Sequence, residues 1–101
     1  MTRSPSAPFL DFDQEGKKTT GKILLVEDVE SIQLAIRDFL FSRYEVQSVT
    51  TAEHALMTLA MAPDIDLLIT DIKLPEMNGF ELGRLARKLR PNIPIIIITS
   101  Y

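Results

Sequence analysis

The chain has 101 residues, 46% of them hydrophobic, enough for one domain with one core. A net charge of −3 gives no basis for nucleic-acid binding, and the lack of cysteine excludes a disulfide framework and a thiolate metal site. No apolar stretch approaches the length of a membrane span and Met1-Thr2-Arg3-Ser4-Pro5-Ser6 lacks the apolar core of a secretion signal, so no membrane is expected and the cytoplasm is the default compartment.

Residues 1–21 hold Ser4, Pro5, Ser6, Pro8 and the polar stretch Asp13-Gln14-Glu15-Gly16-Lys17-Lys18-Thr19-Thr20, and are expected to form a flexible tail. Within it Phe9-Leu10-Asp11-Phe12-Asp13 reads either as an acidic-aromatic docking segment or as part of a disordered leader. From residue 22 to 101 the chain is expected to form one folded unit of alternating strands and helices.

Lys22-Ile23-Leu24-Leu25-Val26 is short, branched and without helical gaps, the pattern of a strand buried on both faces. Ile32, Ala35, Ile36, Phe39 and Leu40 then recur at helical spacing, with Asp28, Glu30 and Ser31 as polar candidates for the helix start. Tyr44 to Val49 alternates apolar and polar, as a half-covered or edge strand does. Thr50 and Glu53 fit a capping box for a second helix with Ala55, Leu56, Leu59 and Ala60 as its stripe, ended by Pro63.

Asp66-Leu67-Leu68-Ile69-Thr70 is a third strand, and Leu74-Pro75-Glu76-Met77-Asn78-Gly79 a turn signal after it. The third helix draws its buried positions from Phe80, Leu82, Leu85, Ala86 and Leu89, with Arg84, Arg87, Lys88 and Arg90 as a solvated cationic end. Pro91 and Pro94 lead into Ile95-Ile96-Ile97-Ile98. The alternation implies an α/β fold with a parallel sheet and right-handed crossovers.

The chemistry sits at the strand ends. Glu27 and Asp28 follow the first strand and Asp71 ends the third, so three carboxylates are expected at the sheet edge where open α/β folds bind ligands. Such a cluster repels itself unless a cation joins it, and a hard, oxygen-preferring ion such as Mg²⁺ is the natural partner.

The runs Ile23-Leu24-Leu25-Val26-Glu27-Asp28, Asp66 to Gly79 with its Asp71-Ile72-Lys73-Leu74-Pro75-Glu76-Met77-Asn78-Gly79 segment, and Pro94-Ile95-Ile96-Ile97-Ile98-Thr99-Ser100, in that order, resemble the receiver domain of two-component response regulators. The resemblance spans residues 22–101. It implies a flavodoxin-like, doubly wound sheet and a phosphoacceptor in place of a turnover enzyme. Asp71 would take a phosphoryl group from a histidine kinase or phosphotransfer protein. Asp28 and Asp71 would bind Mg²⁺ directly, Glu27 through metal-bound water, and Lys73 through its backbone carbonyl, while Thr99 would be the switch hydroxyl. Pro75 and Gly79 would shape the loop.

Taken singly, each residue has a plainer account: Asp28 as a helix cap, Glu27 as a loop carboxylate, Asp71 as a turn acceptor, Thr99 as a β-branched strand residue. His54, the one histidine, reads as a solvated helix residue. Three other readings fit the same fold: an interaction module independent of phosphorylation, a non-functional receiver fragment, and, ranked last, a phosphohydrolase. Phosphohydrolases of this kind place a second acid two residues after the nucleophile, where this chain has Lys73.

Complete receivers have five strands in the order 2-1-3-4-5 and a lysine–proline pair ending the fifth. Here the sequence runs to Tyr101 after the fourth expected strand, giving the order 2-1-3-4 without a fifth strand, its lysine or the last helices. Ile95 to Ile98 would then be an exposed apolar edge, and self-association through it is expected.

Overall fold

The computed structural model describes residues 21–99, and the expected tail therefore lies, apart from Gly21, outside the described residues, as do Ser100 and Tyr101. Strands β1 (Lys22–Val26), β2 (Glu45–Val49), β3 (Leu67–Asp71) and β4 (Ile95–Ile98) alternate with helices α1 (Glu30–Leu40), α2 (Ala52–Met61) and α3 (Gly79–Leu89). The sheet order is β2-β1-β3-β4 and every pairing is parallel. This is the order expected of the flavodoxin-like fold.

Buried strands alternate their side chains between two helical layers. Leu24, Val26 and Leu68 face one way and pack with Ala52, Ala55 and Leu59 of α2 and with Leu82 and Ala86 of α3. Ile23, Leu25, Leu67 and Ile69 face the other way, against Ile36 and Leu40 of α1. The parallel register aligns the strand ends: Val26 lies opposite both Val49 and Thr70, and Asp71 opposite Ile98. Residues just past Val26, Asp71 and Ile98 therefore share one edge.

Several helical assignments change. Helix α1 has no fully buried residue, Ala35 is exposed, and Phe39 is 84% exposed. Ile36 and Leu40, four residues apart, pack against the buried strand residues, and Ile32 one turn earlier is half-buried. The cap of α2 is Thr51, one residue later than expected, and its hydroxyl accepts from the His54 N–H at 3.1 Å. Ala60 and Leu89 are exposed, as is Phe80 at 60%; Gly79 and Gly83 occupy buried positions of α3 because that helix lies close to the sheet.

The cationic end of α3 is more than a solvated face. Arg90 donates to the carbonyls of Ala62, Pro63 and Ile65 at 3.4, 3.2 and 2.7 Å, satisfying the chain between α2 and β3. Arg87 donates to Ile93 O at 2.6 Å and Pro91 O at 3.2 Å. Charge-assisted bonds to backbone carbonyls hold the connections at the end of the sheet opposite the acidic edge.

Candidate functional site

The site is built where β1 and β3 end. Asp71 is the last residue of β3 and only 1% exposed, with its backbone bonded into the edge: the Thr70 hydroxyl donates to Asp71 O at 2.9 Å and Ile72 N donates to Ile98 O at 2.9 Å. Glu27 follows β1 and is fully buried, while its neighbour Asp28 is exposed. One carboxylate oxygen from each of Glu27, Asp28 and Asp71 lies within 4.8 Å of the others. The three predicted acids are thus brought together.

Asp28 is not a helix cap. The N-cap of α1 is Val29, which offers no side-chain bond. The Val29 N–H instead donates to Glu27 Oε2 at 3.0 Å, so the buried carboxylate turns toward the start of the helix. Glu27 Oε1 is buried without a hydrogen-bond partner among the described residues. Burial pushes the Glu27 carboxyl up from its ordinary value of 4.5; the Val29 N–H pulls it back, while Asp71, through its charge and through the hydrogen bond that a protonated Glu27 would donate to it, and the charge of Asp28 raise it further. The arrangement calls for a proton or a cation between Glu27 and Asp71.

Its donors suit a hard cation. All three are carboxylates, Glu27 carries a buried oxygen with no donor, and Asp28 is exposed to solvent. These residues fit a divalent ion such as Mg²⁺.

The loop after β3 is tightly shaped. Gly79 N donates to Ile72 O at 2.7 Å, and a Cβ at Gly79 would overlap the carbonyl oxygen of Asp71. Gly79 therefore does more than turn the chain: its missing side chain is what allows α3 to start against the backbone of Asp71. Met77 N donates to Pro75 O at 2.7 Å around Glu76, whose φ of 65° is unfavourable for a residue with a Cβ. Asn78 caps α3, accepting from Glu81 N at 2.8 Å. Lys73 is exposed within this loop, and Thr99, exposed, is the residue after Ile98 and so shares the edge with Asp71 by register.

Gln33 was not singled out by the sequence. Its side-chain Nε2 donates to Glu27 O at 3.0 Å and to Val49 O at 3.3 Å. The available signal was a long amide on the first turns of α1, next to the inward-facing Ile32 and Ile36, where a second apolar residue would be ordinary.

Comparison with known proteins agrees with this geometry. The family described as "Response regulator receiver domain" matches residues 23–101. The response regulator protein FleR of Pseudomonas aeruginosa is 37% identical over 81 residues, covering 79% of this chain and 17% of its own length. Sensor kinase CckA of Brucella abortus is 29% identical, covering 98% of this chain and 11% of its own length. The chain thus spans a small part of each of these two relatives. Among solved structures, a response regulator receiver domain protein (CheY-like) from Methanospirillum hungatei JF-1 superposes with a TM-score of 0.73 at 38% identity, over 80% of this chain and 65% of that one. The receiver domain of the hybrid histidine kinase CckA gives 0.70 at 29% identity, over 79% and 85%. With matching motifs, sheet order and acidic edge, the chain belongs to the response regulator receiver domain family.

Proposed function

We propose that this receiver accepts a phosphoryl group on Asp71 from a histidine kinase or phosphotransfer protein, in a Mg²⁺-dependent reaction of cytoplasmic signal transduction. The observation that carries the reading is the buried Asp71 carboxylate gathered within 4.8 Å of Glu27 and Asp28 at the strand ends. A family member lacking this cluster would keep the fold without the chemistry.

In the proposed reaction an Asp71 carboxylate oxygen attacks the phosphorus of a phosphohistidine. A P–O bond forms as the P–N bond breaks, and the electron pair returns to the imidazole nitrogen, leaving an acyl phosphate on Asp71. Mg²⁺, when bound, supplies positive charge against the phosphoryl oxygens and the three carboxylates. Glu27, Asp28 and Asp71 would hold it at the strand ends, with the Lys73 carbonyl as a further oxygen donor. Thr99, at the edge shared with Asp71, donates its hydroxyl to a phosphoryl oxygen and carries the end of β4 with it. The group is received, not turned over, so the chain is a phosphoacceptor and not a conventional enzyme.

The test is labelling by a small acyl phosphodonor with Mg²⁺. Wild type takes one label, lost in Asp71→Asn and on removal of Mg²⁺. Undiminished labelling of Asp71→Asn removes Asp71 from the role. A folded wild type that takes no label favours the interaction-module reading instead.

A further inference from the structure

Helix α1 begins without a side-chain cap, yet its first turn is closed by a ring of hydrogen bonds. Val29 N donates to Glu27 Oε2 at 3.0 Å, Gln33 N donates to Val29 O at 2.9 Å, and Gln33 Nε2 donates back to Glu27 O at 3.0 Å. The ring uses both the side chain and the backbone of Glu27, and Asp28 is the residue it encloses in the chain. Val49 O, at the end of β2, accepts both from Glu27 N at 3.1 Å and from Gln33 Nε2 at 3.3 Å. One amide therefore joins α1 to the ends of β1 and β2.

The carboxylate of Asp28 makes no hydrogen bond or ion pair among the described residues. Its place near Asp71 is set by its two neighbours, Glu27 and Val29, and both are members of the ring. The three carboxylates repel one another, so without a tether the loop carrying Asp28 would relax away from Asp71 toward solvent. A cation entering a relaxed loop must gather its ligands again, which weakens binding.

We infer that Gln33 is a positioning residue for the metal site: its side-chain amide holds the Glu27–Asp28 loop in register with Asp71, so that Mg²⁺ meets its carboxylates already assembled. The inference rests on the Mg²⁺ reading above and assigns Gln33 a part in it. Partners that orient ligands without touching the ion are worth about 10–100-fold in metal affinity.

The test is a calorimetric Mg²⁺ titration of the whole chain, wild type against Gln33→Met, paired with thermal melting in the absence of metal. Methionine keeps the length, the straight stem and a comparable helix propensity but donates no hydrogen bond. The expected result is affinity weakened about tenfold or more, with wild-type helical content. Unchanged Mg²⁺ affinity overturns the inference, and a lowered melting temperature beside that unchanged affinity marks Gln33 as a purely structural tie. If Gln33→Met fails to fold, Gln33→Asn, which keeps the amide but shortens its reach, carries the same expectation. A wild type that binds no Mg²⁺ sinks the metal reading itself, a failure visible before any variant is compared.

Discussion

Gly79 lies so close to Asp71 that any side chain on it would occupy the space of the Asp71 carbonyl oxygen. The contact is backbone on backbone, with the Asp71 carbonyl carbon 3.1 Å and the Ile72 Cα 3.2 Å from where a Cβ would sit, so no flexible side chain can yield. The start of α3 and the end of β3 are thereby locked together, and the position of the proposed nucleophile depends on a missing methyl group eight residues away in sequence.

Gly79→Ala should therefore act on both fold and site. Overpacking against backbone costs about 1–3 kcal/mol, visible as a lowered denaturation midpoint. Phosphodonor labelling should fall even under conditions where the variant stays folded, because relief of the overlap moves Asp71 or the α3 start. Wild-type stability in Gly79→Ala would show that the loop absorbs the methyl group elsewhere.

Glu27→Gln should stabilise the Mg²⁺-free protein at neutral pH. The Glu27 carboxyl titrates above its ordinary value of 4.5 in the folded chain, chiefly through burial and then through Asp71. Between the unfolded and folded values the native state holds a proton that the unfolded chain has lost, so stability falls as pH rises through that window and stays lower above it. Glutamine can still accept from Val29 N and can donate to Asp71, removing an unsatisfied buried oxygen worth about 1–3 kcal/mol. The advantage should shrink on acidification, as wild-type Glu27 takes up its proton, and on adding Mg²⁺, which stabilises only the wild type's full acid set. Melting curves across pH, with and without Mg²⁺, check both signs.

Asp28→Ala separates a ligand from a cap. Loss of a true N-cap costs about 1 kcal/mol. Val29 holds the cap position, and Asp28 is exposed beside two like charges. The variant should keep wild-type stability or gain slightly, while calorimetric Mg²⁺ binding is lost. Retained Mg²⁺ affinity would remove Asp28 from the ligand set.

The strands and the strand-end acids were legible because buried strands leave dense, short apolar runs and because Asp71 and the Glu27–Asp28 pair fall directly at their ends, whereas the sheet order followed from the resemblance to receiver domains and not from the runs themselves. Helix faces were less legible. Phe39, Phe80 and Leu89 obey helical spacing but are exposed, and spacing alone cannot say how wide a face of each helix is covered. The roles of Gln33, Arg87 and Arg90 were hidden for a different reason. Their partners are backbone carbonyls on other elements, and a carbonyl has no letter in the sequence.

Among the described residues β4 is an outer strand of the four-stranded sheet, at the opposite edge from β2. Ile96 is 47% exposed, and Ile98, two residues on and so on the same face, packs against the cluster that α1 covers only in part. The outward backbone groups of β4 must pair with water or with another strand. A polypeptide of these 101 residues, studied by itself, should therefore associate through this edge, each fully buried isoleucine contributing about 1.5–3 kcal/mol. Ile96→Lys introduces a charge at the exposed position and should shift the species toward monomer, since lysine on an edge strand opposes pairing with a second chain. Sedimentation at several micromolar concentrations reads both states. A wild-type polypeptide that remains monomeric, with amides along residues 95–98 protected from exchange, would show that this edge is closed by something other than a second copy.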